Sequence, residues 1–163
     1  MKRLGGLIAI FLAGCAGGGS GGGATDKPQA LANLQGDWVC VSSEQDGKEN
    51  NSERGVYLAS LQGGSELSIK GDKFTFKIQF PGQVAVTSGS IKLHPTSDPK
   101  GLDRTWEESR NKDNIGKTEL AIYEFDGEKL RIVFGDLGGK ERPKSLKTVK
   151  GDKQTVLIYA KKK

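Results

Sequence analysis

The chain is poor in the residues that build reactive centres. It holds one His, one Met, two Cys and five Pro among 163 residues. A single His excludes multi-His metal centres and His-rich zinc sites. No segment approaches the ~18 consecutive apolar residues that a spanning helix requires. Hydrophobic residues make up only 34% of the chain, which limits it to one modest core rather than two domains. Helical periodicity is nearly missing, and the one candidate is a short lead-in turn at Gln29 to Leu34. Glycine, by contrast, is abundant at 24 residues, six of them between Gly17 and Gly23.

The first thirty residues form an address and a tether. Lys2 and Arg3 make a positive start, and Leu4 to Ala13 an apolar run too short to span as a stable helix. Leu12-Ala13-Gly14-Cys15 follows and resembles the lipobox cut by the lipoprotein signal peptidase. That resemblance implies a signal peptide over residues 1–14 and lipidation of Cys15 as the mature N-terminus. Several acyl chains on one residue anchor durably, since each buried CH₂ contributes about 0.8 kcal/mol. Residues 15–30 are a Gly/Ser-rich tether with an r.m.s. reach of roughly 20 Å. Residue 16 is Ala rather than Asp, so the signal that holds some lipoproteins at the inner membrane is missing. The expected location is the cell envelope, lipid-anchored, at the outer membrane or a periplasmic face rather than the inner membrane. With Cys15 lipidated, Cys40 has no disulfide partner, and its setting in Trp38-Val39-Cys40-Val41 reads as a buried structural thiol.

From Leu34 onward the hydrophobic pattern has period two, broken by turn signals. Phe74, Phe76, Ile78 and Phe80 alternate with Lys73, Thr75, Lys77 and Gln79, the clearest strand in the chain. Strands are also expected at Asp37 to Ser43, Leu67 to Ile69, Val84 to Leu93, Leu102 to Glu107, Thr118 to Phe125, Lys129 to Phe134, Leu146 to Val149 and Thr155 to Ala160. Asp46-Gly47 and Asp126-Gly127 are hairpin signals, and Ser88-Gly89 marks a bend or bulge. Close hairpin spacing implies neighbour-to-neighbour antiparallel pairing. With no helix to cover the apolar face, the sheet must curl on itself. The expected fold is therefore all-β: a single antiparallel meander barrel of about eight strands over residues 31–160, with a basic tail at 161–163. Trp38, Phe74, Phe76, Ile78, Phe80, Ile132 and Phe134 would line its interior, where a ligand would sit. Phe76→Asp is then expected to abolish folding.

Several stretches together resemble a lipocalin-like family of small exported proteins from planctomycete-type bacteria. They are Leu34-Gln35-Gly36-Asp37-Trp38, Gly71-Asp72-Lys73-Phe74, Ile91 to Thr96, Ile122 to Gly127 and Glu141-Arg142-Pro143-Lys144. The likeness spans about residues 31–160 in order and implies a fold rather than an activity. That family carries an acid where His94 stands. The stretch Asn50 to Gly64 is longer than the pattern. Gly36-Asp37-Trp38 further resembles the Gly-x-Trp opening of lipocalins, in which the Trp closes one barrel end under an Arg from late in the chain. Arg142 is the candidate for that closure, with Arg131 second.

No catalytic constellation assembles. Gly116-Lys117-Thr118 mimics a phosphate loop but has Asn111 where that loop needs Gly, and a strand follows. His94 lies in a turn-like segment with no nucleophile elbow, and reads as a surface histidine. Glu107 and Glu108 point to opposite faces of a strand, and with Asp103 they read as exposed charge. Asp46, Asp72, Asp126 and Asp152 stand beside glycines as turn formers. No enzyme activity, metal or cofactor is expected. Two roles remain open: a tethered binding module for a small apolar or amphipathic ligand, or a solid structural barrel that contacts envelope polymer or protein. Residues 140–163 carry nine basic and two acidic side chains, which read as solvated strand faces with a frayed Lys161-Lys162-Lys163 tail or, more sharply, as a basic end that touches anionic lipid or polysaccharide. A monomer is expected, with no nucleic-acid partner.

Overall fold

A computed structural model describes residues 26–49 and 64–163. The signal segment, Cys15, the tether up to residue 25 and most of the Asn50 to Gly64 stretch lie outside the described residues.

A nine-residue helix, α1 (Asp26–Leu34), leads into the strands. It starts inside the stretch read as tether, because Asp26 and Pro28 suit a first helical turn and Ala30, Leu31 and Leu34 can share one apolar face. Among the described residues no helix is long and apolar enough to cross a membrane.

The strands are β1 (Gly36–Gln45), the two-residue β2 (Lys48–Glu49), β3 (Ser65–Lys70), β4 (Lys73–Phe80), β5 (Gln83–His94), β6 (Gly101–Glu108), β7 (Thr118–Asp126), β8 (Lys129–Leu137) and β9 (Thr155–Lys161). β2 is only a hairpin arm on β1, turned by Asp46 and Gly47, both at positive φ as a type I′ turn demands. The other eight pair with their sequence neighbours, and β9 returns to β1 from Trp38↔Lys161 to Gln45↔Thr155. The sheet is thus a closed, eight-stranded antiparallel meander barrel, as the alternating stripes require. It is consistent with a lipocalin-like architecture. Each long strand has a partner on both sides, so the edge problem of an open sheet disappears.

The expected bend at Ser88-Gly89 is a register shift between β5 and β6. Glycine is needed there because a Cβ on Gly89 would stand 1.9 Å from the Thr105 carbonyl oxygen. The interior is filled by Trp38, Leu67, Ile69, Phe74, Phe76, Ile78, Leu130, Ile132, Phe134 and Leu157, all buried, while Phe80 is half-buried at a strand end. Cys40 is fully buried, and burial pushes its thiol up, consistent with an inert structural role.

Two sequence expectations need correction. Residues 146–149 are not a strand. Every long barrel strand already has both partners, so the backbone of this segment bonds to side chains instead. Glu44 Oε1 accepts from Thr148 N and Thr148 Oγ1 at 2.9 and 2.7 Å, and Asp152 Oδ2 accepts from Val149 N. The segment lies along the outside of the barrel, and Leu146 packs on a second small cluster of Ile122, Val133 and Val156. Nor do Lys161 and Lys162 form a loose tail. Lys161 ends β9, Lys162 N donates to Asp37 O, and Lys162 Nζ meets Glu66 Oε1 at 2.6 Å.

Candidate functional site

The two barrel ends differ. α1 stops one end. Leu34 is fully buried there, and its carbonyl accepts a 3.0 Å hydrogen bond from Trp38 Nε1. Trp38 therefore closes this end as the Gly-x-Trp likeness implies, but the cation above its ring is Lys161, whose Nζ stands 5.4 Å from the centroid. Arg142 is elsewhere. Its segment crosses the outer wall, where Nη1 donates to Ala121 O at 2.6 Å and Nη2 pairs with Asp103. Arg131 also stays outside, paired with Glu124. The reason is local: the chain end arrives over Trp38 along β9, so Lys161 reaches the ring first, and Arg142 finds backbone carbonyls and a carboxylate on the wall.

Asp103 is accordingly not the exposed carboxylate its sequence suggests. Its second oxygen is 2.8 Å from His94 Nε2, so His94 too is a partnered, part-buried side chain. Burial opposes the charged form of Asp103, but hydrogen bonds from His94 and Arg142 and their charges outweigh it and hold the carboxyl below its ordinary 3.8. A lowered folded-state value means the stabilisation is complete above the unfolded-state value and is lost as pH falls through the folded one. Asp103→Asn should therefore cost about 1.5–3 kcal/mol at neutral pH. Melting curves across the acid range should show the gap to the parent protein narrowing once pH falls below the unfolded-state value and closed below the folded-state one. Glu107 and Glu108 are exposed as expected, bonded to Lys73 and Ser88.

Among the described residues the other end is partly open. Between the ends of β1, β4, β5, β6, β7, β8 and β9 lies a cavity of about 230 Å³, with Phe76, Ile78, Trp106, Phe134, Leu157, Arg104 and Glu119 among its lining side chains. Phe76, Ile78 and Phe134 of the expected interior set thus reach this space. Trp38, Phe74 and Ile132 fill the barrel below it, and Trp38 instead borders a wide surface depression at the closed end with Phe125 and Lys161 to Lys163.

Sequence reasoning missed the charged pair at the centre of the cavity wall. Arg104 and Glu119 are register partners on β6 and β7, and both are buried, at 6% and 9% exposure. Arg104 Nε and Nη2 both donate to Glu119 Oε2, at 3.0 and 2.5 Å. The guanidinium is walled by rings: Phe134 at 4.3 Å, Phe74 at 5.2 Å, Trp106 at 5.5 Å and Phe76 at 5.6 Å. Such stacking favours Arg over Lys at a desolvated position. The signal for the pair was in the alternation: Arg104 lies between Leu102 and Trp106, and Glu119 precedes Ala121 and Tyr123, all at inward positions of their strands.

Among the described residues four buried polar atoms have no hydrogen-bond partner: Arg104 Nη1, Trp106 Nε1, Tyr123 Oη and Tyr159 Oη. Burial pushes both phenols up, so they stay protonated and able to donate. A buried donor left without an acceptor costs about 1–3 kcal/mol, so an acceptor atom that reached one of these groups would be held favourably. Among the described residues no group of His, Cys, Asp and Glu is arranged to hold a metal ion. No protein-family model and no curated protein matches the chain.

Proposed function

We propose that this protein is an envelope-tethered binding module whose barrel mouth takes a small amphipathic molecule. One observation carries the reading: a partly open cavity, with Phe76, Ile78, Trp106, Phe134, Leu137 and Leu157 among its walls, contains a buried arginine with an N–H that has no partner among the described residues. Ligand sites in closed sheets combine apolar walls with oriented polar groups, and here Gln45, Thr87 and Thr155 line the cavity with the pair. The volume of about 230 Å³ lies below the range of roughly 300–1,000 Å³ that holds drug-sized ligands, so the molecule is small.

The lipobox likeness at Cys15 adds the tether. Chain direction adds an orientation, because α1 enters at the closed end, opposite the mouth. A tether attached there lets the cavity face away from the membrane, so the ligand arrives from the surrounding compartment rather than from the bilayer.

Native mass spectrometry of the mature protein, gently released from its own envelope, tests both parts at once. A covalent mass on Cys15 matching acyl chains is expected, together with a non-covalent mass of a few hundred daltons or less that leaves on mild activation. A protein that carries acyl chains but repeatedly emerges without a bound molecule would favour the alternative, a structural barrel acting through its surface. An unacylated Cys15 would remove the tether.

A further inference from the structure

We propose that the mouth selects an uncharged ligand: an apolar body bearing one hydrogen-bond acceptor of carbonyl type, received by Arg104 Nη1. The proposal rests on the binding reading above and names the chemistry of its ligand. Arg104 and Trp106 can only donate, never accept, so the free atoms on this wall call for an acceptor. Trp106 stands two positions beyond Arg104 on β6, on the same side of the strand, and adds a second free N–H.

An arginine in an apolar cavity suggests an acid at first sight. The geometry argues otherwise. The Arg104 charge is already matched by Glu119 at 2.5 Å, through the two nitrogens Nε and Nη2. Among the described residues no other cationic side chain lines the cavity. A ligand carboxylate would place a second negative charge beside Glu119, where water screens little and like charges repel. A ketone, ester or amide oxygen satisfies Nη1 without adding charge. Of the remaining walls, Phe76, Ile78, Phe134 and Leu157 suit a flat or short apolar body, while Gln45, Thr87 and Thr155 add polar atoms.

Three probes of similar size separate these cases: 4-phenylbutan-2-one, 3-phenylpropanoate and butylbenzene. Each is titrated by calorimetry into the mature chain at neutral pH. The ketone should bind about 10-fold tighter than the hydrocarbon and about 10-fold tighter than the acid. It should also move the indole N–H resonance of Trp106 and leave that of Trp38, which is already bonded to Leu34 O. In the double variant Arg104→Met with Glu119→Leu, the ketone should lose its advantage over butylbenzene. Should that variant not fold, Trp106→Phe should still weaken the ketone several-fold and spare the hydrocarbon.

An acid that binds tighter than the ketone overturns the selectivity while the binding reading stands. So does a hydrocarbon that binds as tightly as the ketone, or a ketone advantage that survives loss of the pair. If none of the three binds, the binding reading falls with it.

Discussion

Arg104→Met alone should destabilise the protein by about 3–5 kcal/mol, and adding Glu119→Leu should restore most of that loss. The asymmetry follows from where the pair sits. Taking either ion out of water is costly, and the two tolerate burial because Glu119 Oε2 receives both Nε and Nη2 of Arg104. Methionine fills much of the same space among Phe74, Phe76, Trp106 and Phe134, so packing alone does not explain a large loss. What remains in the single variant is a carboxylate that is 9% exposed and has lost its cation. The second substitution removes that uncompensated charge, and apolar replacements of buried ion pairs are often neutral or stabilising. Urea denaturation of both variants measures the contrast. A single variant within about 1 kcal/mol of the parent would mean that Glu119 reaches water and the mouth is wetter than its geometry implies. A pair that adds little net stability is retained for another reason, and the free Nη1 beside the cavity supplies one.

The alternation on β4 makes the barrel legible in the sequence. Phe74, Phe76 and Ile78 share one face because a pleated strand allows nothing else, and a face so apolar with no helix to cover it forces closure. Where alternation failed, the sequence also carried meaning. Ala121-Ile122-Tyr123, Ile132-Val133-Phe134 and Val156-Leu157 are apolar without a break, and Ile122, Val133 and Val156 are the residues covered from outside by the segment around Leu146. A strand buried on both faces loses its polar alternate. Period-two reading therefore mistook residues 146–149 for another strand, when they are the cover. The pair was harder to see. Arg104 and Glu119 are 15 residues apart in a chain rich in charge, and only strand register makes them neighbours. Arg142 failed for a similar reason: its position late in the chain matched the likeness, but which cation reaches Trp38 is decided by where β9 ends.

Ile69→Asp should abolish folding. Position 69 is a sharper probe of the closed core than position 76, the natural choice from sequence. Phe76 lines the partly open cavity and is 8% exposed, so an aspartate at 76 has a route towards solvent. Ile69 lies towards the α1 end, 1% exposed, and its register partners are Gly36 and Phe74, which offer no side-chain donor. Substitution there forfeits about 2–3 kcal/mol of apolar burial and strands a carboxylate at a further cost of several kcal/mol. That sum approaches the whole stability of about 5–15 kcal/mol expected for one domain. Val84→Asp is the matched control, because Val84 is 54% exposed and an outward substitution should change stability by no more than about 0.5 kcal/mol. Circular dichroism and the soluble fraction on expression read the outcome. A soluble Ile69→Asp protein that melts cooperatively near the parent temperature would show that β3 does not face an enclosed core. The cavity, the pair and the ligand reading built on them would fail together.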